Sequence, residues 1–343
     1  MSLRKWTVRE YRPEDLKGVQ ELFAEVFHKL PPTSHFVWKF NDNPAGRAII
    51  TVAEDSGRIV GHGALMPTPL RVGGESVCGA QGVDAMTHPD YRNQGMFVAL
   101  SEAGLQKAAA KKIEVLYTIS GHSGVYNGAV HRLNWDHAGD ITKWVRILNP
   151  GSLTRSFSRS IRVLSWGLQF MSMGKSSSRG IDTITERPKE NEFLSLAEQI
   201  SSNEPNGTCR IERSAQWFKW RFDSASQRDY LWFSAYRDGG LKACAVFGVN
   251  YWGATPLIAM SGTDAEALKA VTSKATRRAK ELGLPMLLSF TSDDSVARAL
   301  KSCGYFRCGS MSLLVRSLTS RILKGNIHLR SSWRIASEDF DTF

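Results

Sequence analysis

A short aromatic block occurs twice in this chain, and this internal repeat limits the fold more than any other feature of the sequence. The block reads FVWKFNDNP over 36–44 and FKWRFDSAS over 218–226. Both copies follow the pattern F-x-W-basic-F-polar, and Phe40 matches Phe222, which sets an offset of 182 residues. Repeated aromatics of this kind are typical of core and repeat-interface positions. The alternative is that Trp38 or His35 stacks on a bound acceptor.

The sequence stays in register after the aromatic block. AEDSGRIVGHGA, which starts at Ala53, aligns with AYRDGGLKACAV, which starts at Ala235, and both read as a strand, a glycine-containing turn and a strand. Farther along, AVHRLNWDHAG over 129–139 is similar to ALKSCGYFRCG over 299–309, now at an offset of 170 residues. Similar blocks in the same order predict a duplicated fold whose second copy is 12 residues shorter between them.

Each copy reads as a strand and helix, a hairpin, a long helix, a strand, a short helix and a strand. In the first copy the strand WTVREY precedes a helix that starts near Pro13, and a long helix over about 96–111 precedes the strand IEVLYTI. The corresponding helices of the second copy are expected over 265–282 and 293–302. The pattern predicts mixed α/β structure in both copies.

The segment 150–190 separates the two expected domains, 1–149 and 191–343. Over 152–171 its apolar residues share one helical face, and its arginines lie off that face. A basic amphipathic helix can lie on a membrane surface, or it can connect two domains and pack on them. Both alternatives stay open at this point.

The composition favours an anionic partner in a reducing compartment. Lys and Arg number 44 against 33 Asp and Glu, a net charge of +11, which suits a phosphorylated cofactor, a nucleic acid or an anionic membrane surface. The sequence has no leader-like start and no apolar run long enough for a transmembrane segment, so we expect a cytoplasmic protein. The five cysteines lack paired spacing, and Cys303 and Cys308 lack zinc-ligand neighbours, so we expect buried thiols and no metal.

The stretch THPDYRNQGMF, over 87–97, is a turn between a strand and a helix. GAQGVDAMT before it is short and bounded by glycine, which suits a strand, whereas VALSEAGLQKAAAKK after it consists of strong helix formers. The start of a helix offers unpaired N–H groups and a positive dipole end, and Gly95 allows the backbone to approach a ligand closely. The stretch therefore predicts an anion site.

A strand, then P-x-Y-R-x-x-G, then a long helix resembles the acyl-CoA-binding segment of the GNAT superfamily of N-acetyltransferases. The resemblance implies that the N–H groups of the loop hold the CoA pyrophosphate. It also implies that the preceding strand binds the pantetheine arm, and that the next strand splays away to admit the thioester. The residues implied in binding acetyl-CoA or another acyl-CoA are Met86, Thr87, Arg92, Asn93, Gln94, Gly95, Met96 and Phe97. Phe97 departs from the family, which usually has Gly or Ala there.

The resemblance covers both copies and implies two tandem GNAT-like domains, each a mixed twisted sheet flanked by helices. The first domain keeps the acyl-CoA loop, and the second is degenerate. Longer tandem members with F-x-W-K near the start and an acidic stretch after Trp near the end are similar to this chain, which ends in WRIASEDFDTF. This narrower likeness implies a small-molecule amine acceptor, such as a nucleotide-linked amino sugar, and no nucleic acid partner.

Acyl transfer from a thioester to an amine needs a proton donor for the departing thiolate. A basic amine also needs a proton acceptor. The family often keeps the donor tyrosine at the place that Val130 occupies here, so Tyr126, one helical turn earlier, is the candidate acid. Asp84 and His122 are the candidate bases. Each has a structural alternative: Tyr126 as a half-buried tyrosine bonded to a carbonyl, Asp84 as a partner of Arg92, and His122 as a solvated loop residue.

Two other functions are compatible with the sequence. Tandem acyltransferase-like folds also occur in enzymes that move amino acids from charged tRNA to peptides, and the basic charge suits an RNA partner. A non-catalytic acyl-CoA-binding protein is compatible with the missing tyrosine. The intact loop of the first copy favours acyl-CoA-dependent N-acyl transfer to a primary amine.

Overall fold

The computed structural model describes residues 5–149, 180–223, 229–249 and 257–340. The helix predicted over 152–171 lies outside the described residues.

The first half alternates strands and helices as its sequence pattern predicts. Its strands are β1 (Thr7–Glu10), β2 (Ile49–Asp55), β3 (Arg58–Pro67), β4 (Leu70–Val72), β5 (Glu75–Val77), β6 (Gly79–Thr87), β7 (Val115–Ser120) and β8 (Asp136–Ile147). Its helices are α1 (Leu16–Phe27), α2 (Thr33–Phe40), α3 (Met96–Ala110) and α4 (Ser123–Leu133).

The second half repeats this series. Its described strands are β9 (Asp182–Ile184), β10 (Cys209–Ile211), β11 (Asp229–Arg237), β12 (Gly240–Val249), β13 (Ile258–Gly262), β14 (Met286–Thr291), β15 (Phe306–Ser317) and β16 (Trp333–Arg334). Its described helices are α5 (Glu190–Ser202), α6 (Ala215–Phe222), α7 (Ala265–Glu281) and α8 (Asp294–Ser302). The mixed α/β fold with twisted sheets flanked by helices is confirmed.

The turns of the two halves match at the offsets read from the sequence. Ser56 and Gly57 close the hairpin β2–β3 with φ of 50° and 85°, and Asp238 and Gly239 close β11–β12 with 51° and 73°. Positive φ at both central residues gives the turn whose twist fits a two-residue hairpin. The conformation of the chain repeats along with its residues.

The two halves exchange their last strands. The main sheet has the order β1-β2-β3-β6-β7-β15-β8-β14, so β15 of the second half pairs antiparallel with β7 of the first. In return, β8 of the first half pairs antiparallel with β14 of the second, and β8 and β15 pair with each other. The halves therefore share one sheet. A small sheet, β16-β10-β4-β5, joins them a second time.

The repeated aromatic blocks form α2 and α6 and meet between the halves. Phe36, Trp38, Phe218 and Trp220 are buried in one apolar cluster with the strands of both halves. The indoles of Trp38 and Trp220 stack at 4.8 Å between ring centroids. The interpretation as core and interface aromatics is confirmed.

The expectation of buried thiols was wrong for one of the two cysteines. Cys308 is exposed and Cys303 is half-buried, because Cys308 falls on the solvent-facing part of β15. Within the described residues, no three His, Cys, Asp or Glu side chains lie close enough together to hold a metal ion. None of the helices in the described ranges is both long and apolar enough to cross a bilayer.

Candidate active site

Strands β6 and β7 run parallel for three residue pairs and then separate. Their pairing starts at Gly79 with Val115 and ends at Gln81 with Tyr117. Beyond this rung, β6 continues to Thr87 with its other edge still bonded to β3. The Thr118 hydroxyl donates to the carbonyl oxygen of Gly82 at 2.9 Å, where a backbone rung would otherwise continue. The facing edge of β6 is thereby left open after Gln81.

Asp84 lies on this open part of β6 in a left-handed conformation, with φ of 47°, next to a register shift against β3. Its carboxylate pairs with Lys39 of α2 at 2.8 Å, and both side chains are nearly buried. The structural alternative from the sequence was a pair with Arg92, and the partner that the structure gives Asp84 is Lys39. The ring of His62 lies 2.8 Å from the Asp84 carbonyl oxygen, and burial lowers the pKa of His62.

The loop between β6 and α3 is fastened by side chains on both sides. Tyr91 donates its hydroxyl to Asp55 at 2.7 Å, and Trp6 donates its indole N–H to Gln94 at 3.1 Å. The hydrogen bond raises the pKa of Tyr91 and lowers the pKa of Asp55. Asn93 has a φ of 62°. The loop thus has a defined shape ahead of the helix.

Gly95 is the N-cap residue directly before α3. Its φ is 77°, and no side chain caps the helix there. The first turn contains no acidic residue, and the first N–H groups of a helix have no acceptor within the helix. Arg92 is exposed beside them, and its side chain makes no ion pair with another residue of the described ranges. The start of α3 therefore has the chemistry of an anion site.

The remaining residues expected at the CoA site are buried or half-buried. Met86 and Met96 are buried in the apolar core, so only their backbone groups can face a ligand. Thr87 is half-buried at the end of β6. Phe97 points at α4: a Cβ placed on Gly128 would lie 2.4 Å from its ring. A glycine at 128 thus makes room for the residue in which this chain departs from the family pattern.

Tyr126 and His122 both lie at the start of α4. The Tyr126 ring is half-buried, with the rings of His137 and His131 at centroid distances of 5.3 Å and 6.2 Å. His122 is exposed, and its Nδ1 accepts from the N–H of Gly124 at 3.1 Å, which makes it the N-cap of α4. Asp84 bonds instead to Lys39, so the described residues show no hydrogen-bonded triad of the three candidates.

The helix start that corresponds to α3 in the second half is closed. Only two residues separate β13 from α7, and Asp264 accepts from the N–H groups of Glu266 and Ala267 at 2.9 and 3.0 Å. Arg237 pairs with the same carboxylate at 2.7 Å. A protein carboxylate therefore occupies the position of an external anion at this helix.

A cavity of about 110 Å³ between the halves was not found by sequence reasoning. The first half lines it with the turn after α2, the end of β3 and Gln81; the second half adds α6 and the segment 338–340. The C-terminal stretch WRIASEDFDTF is noticeable in the sequence, but nothing there distinguishes Glu338 from its acidic neighbours. The burial of Glu338 depends on contacts with residues that are distant in the sequence.

The sequence comparison finds a family model that matches the first half. Residues 7–137 match the model described as Acetyltransferase (GNAT) domain. This segment is similar to the GNAT acetyltransferases. The match runs from β1 through the acyl-CoA loop to the first residues of β8. No curated protein sequence matches the chain.

Solved structures of N-acyltransferases and of a tandem GNAT protein share the fold of nearly the whole chain at low identity. A GCN5-related N-acetyltransferase from Anabaena variabilis aligns over 92% of this chain and 73% of its own, with 11% identity and a TM-score of 0.61. N-myristoyltransferase of Saccharomyces cerevisiae with bound myristoyl-CoA aligns over 92% and 81%, with 11% identity and a TM-score of 0.66. A tandem GNAT protein from the clavulanic acid biosynthesis pathway aligns over 92% and 100%, with 13% identity and a TM-score of 0.63.

Proposed function

We propose that this chain transfers an acyl group from acyl-CoA, acetyl-CoA in the first instance, to a primary amine of a small molecule. One observation carries the proposal: the parallel pairing of β6 and β7 stops at Gln81, and the loop after β6 leads to the uncapped helix start at Gly95. An open strand edge and a free helix start, joined by one loop, suit a ligand with an amide-containing arm and a pyrophosphate.

In this proposal the backbone does most of the binding. The N–H groups of the first turn of α3 donate hydrogen bonds to the pyrophosphate oxygens, and Arg92 adds a positive charge at the rim. The open edge of β6 pairs with the amides of the pantetheine arm, and an N–H group of that edge polarises the thioester carbonyl. The side chains of Met86 and Met96 remain in the core and only shape the strand and the helix.

Tyr126 is the proposed donor of the proton that the departing thiolate takes up. It lies on α4 next to Gly128, which is in contact with Phe97 at the start of α3. Its hydroxyl would have to reach the thiolate from one helical turn before the usual position, about 5.4 Å along the helix axis. Asp84 is less suited to be the base, because Lys39 already pairs with its carboxylate.

Only the first half takes part in acyl-CoA binding. The Asp264 carboxylate fills the corresponding helix start of the second half and would repel a phosphate. The second half contributes β15 to the sheet beside β7 and thereby one wall of the site.

A nucleotide-linked amino sugar is the proposed class of acceptor, and the proposed compartment is the cytoplasm. Amino groups of such sugars are less basic than a lysine side chain, which suits a site without a strong base beside Tyr126. The five cysteines are free, as is usual in a reducing compartment.

The test is thiol release from acetyl-CoA and longer acyl-CoAs with a panel of amines that includes nucleotide-linked amino sugars. We expect amine-dependent thiol release and a product whose mass increases by the acyl group. Binding of acyl-CoA without thiol release for any amine would favour the non-catalytic alternative.

A further inference from the structure

Two residues that line the cavity between the halves each have a buried oxygen atom that lacks a donor. Gln81 is 3% exposed, and its Oε1 has no hydrogen-bond partner among the described residues. Glu338 is 4% exposed, and its Oε2 likewise has none there. Both residues line the same cavity. Because a buried acceptor without a donor is costly, the cavity fits a ligand that brings several N–H donors.

Two buried carboxylates lie side by side next to the cavity. Arg213 lies 2.8 Å from Glu338 and 3.0 Å from Asp339, so one guanidinium serves two buried carboxylates. Ser261 donates its hydroxyl to Oε1 of Glu338 at 3.4 Å, on the side away from the free Oε2. Burial raises the pKa of Glu338 against the lowering effect of Arg213, so this carboxyl takes up a proton more readily than an exposed glutamate.

Arg221 also lines the cavity, and its positive charge opposes the rise that burial causes in the pKa of Glu338. Arg221 donates to the carbonyl oxygen of Phe340, and its guanidinium lies over the Trp38 ring at 5.5 Å from the centroid. The buried Cys244 thiol also faces Glu338, and burial raises its pKa to about 12, so it remains neutral near pH 7. Trp217 and Trp220 complete the lining with indole rings, which attract cations.

The position of Gln81 connects this cavity to the acyl-CoA site. Gln81 forms the last rung of the parallel pairing between β6 and β7, the point at which the strands separate. A ligand bonded to its side chain would therefore lie next to the opening that the thioester is proposed to enter.

We propose, on the basis of the acyl transfer proposed above, that this cavity binds the protonated amino group of the acceptor between the carboxylate of Glu338 and the amide oxygen of Gln81. A volume of about 110 Å³ has room for several water molecules, and so for an ammonium group with its adjoining carbons. The bound group is the primary ammonium of the acceptor.

Glu338 then acts as the base. Its Oε2 takes one proton from the ammonium, and the neutral nitrogen forms a bond to the thioester carbonyl carbon. The C–S bond breaks as the adduct collapses, and the sulfur takes the hydroxyl proton of Tyr126 to become the CoA thiol. The second proton of the nitrogen passes through solvent to the tyrosinate and restores Tyr126. The proton on Glu338 passes to solvent when the amide leaves, which completes the balance.

The first test measures binding without catalysis. The full chain is titrated calorimetrically with n-propylammonium chloride and with n-propanol, a neutral molecule of similar size, at constant ionic strength. We expect binding of the ammonium alone, weakened about 10- to 100-fold by Glu338→Gln, the range for one hydrogen bond to a charged group. Glu204→Gln is the matched control, because Glu204 also pairs with a buried arginine, Arg210 at 3.1 Å, but lies outside the cavity.

A second variant keeps the test decisive if Glu338→Gln fails to fold. Gln81→Met preserves the length of the side chain, and the oxygen it removes has no protein partner to lose. We expect an unchanged melting temperature and about 10-fold weaker ammonium binding. Equal binding of alcohol and ammonium by the wild type, or ammonium binding unchanged in both variants, overturns the proposal.

The second test separates the cavity from the acyl transfer itself. The pH profile of kcat/KM for thiol release should have an acidic limb that Glu338→Gln removes, with a lower kcat and unchanged acyl-CoA affinity. An unchanged profile and kcat in an active variant would exclude Glu338 as the base and leave acyl transfer standing. A wild type that binds propylammonium but never releases thiol would contradict acyl transfer while supporting the cation site.

Discussion

Trp38 and Trp220, 182 residues apart, donate their indole N–H groups to each other's backbone carbonyl oxygens. Trp38 donates to the carbonyl of Trp220 at 2.8 Å, and Trp220 donates to the carbonyl of Trp38 at 3.0 Å. Each carbonyl lies in the last turn of its helix, where helices leave acceptors unsatisfied. The pair therefore joins the two halves about a local two-fold relation, with the stacked rings at its centre.

We expect this reciprocal pair to stabilise the whole chain. Trp38→Phe and Trp220→Phe should each lower the free energy of unfolding by about 1–3 kcal/mol, because a buried carbonyl loses its donor. The double variant should lose less than the sum, since the stacked rings depend on each other. Urea denaturation measures these losses.

Trp144→Phe is the matched control for the tryptophan pair. Its indole N–H is buried without a hydrogen-bond partner in the described part of the chain, so the change removes no bond. We expect a smaller loss than at Trp38. Losses of equal size at all three positions, or strictly additive losses in the pair, would contradict the reciprocal arrangement.

Substitutions at Phe97 and Gly128 should have coupled effects on the stability of the fold. Gly128→Ala would bring a methyl group to 2.4 Å from the Phe97 ring and should destabilise the fold by about 1–3 kcal/mol. Phe97→Ala in the same chain should recover most of that loss, because it restores the small residue usual in the family. Thermal unfolding of the two single variants and the double variant tests this; no recovery in the double variant would mean that the contact is not the cause.

Tyr126→Phe tests the proposed acid. We expect kcat for thiol release to fall roughly 10²–10⁴-fold, the range for a positioned proton donor, with little change in acyl-CoA affinity. Tyr236→Phe is the control, because Tyr236 donates to Glu192 in the second half, at 3.1 Å. Thiol release at the wild-type rate by Tyr126→Phe would exclude this tyrosine as the donor.

The reactivity of the cysteines toward alkylation should depend on their burial. Cys78 and Cys308 are exposed, whereas burial raises the pKa of Cys209 and of Cys244 to about 12. At pH 8, iodoacetamide should alkylate the first two and leave the last two unmodified until the chain is unfolded. Peptide mass spectrometry reads out the result, and rapid modification of Cys244 in the native protein would contradict the described packing.

Local sequence patterns predicted the elements of this fold well, because they depend on neighbouring residues. The strand Gly79–Thr87 and the helix after Gly95 follow from glycine positions and helix-forming residues nearby. The exchange of β8 and β15 could not be predicted in this way. The strands β8 and β15 have the same length, and the hydrogen bonds of each could be satisfied by a strand of its own half or of the other half.

The local parts of the candidate site were likewise predictable from the sequence, and the parts that depend on tertiary packing were not. The loop 92–95 is a local motif, so its position before α3 was predicted from the sequence. The Lys39–Asp84 pair and the cavity oxygens of Gln81 and Glu338 depend on contacts across the sheet and between the halves. Residues that come together only through tertiary packing leave no periodic signal in the sequence.

The central claim is that the helix start at Gly95 holds the phosphates of acyl-CoA, and calorimetric titration of acetyl-CoA tests it most directly. Gly95→Asp puts a carboxylate beside the proposed phosphates and should abolish binding. Gly283→Asp is the matched control, because Gly283 has nearly the same φ, 74° against 77°, and open space around it, but follows α7 in the second half. The account predicts that Gly283→Asp binds acetyl-CoA like the wild type while Gly95→Asp does not bind it. Wild-type affinity in a folded Gly95→Asp variant would contradict it.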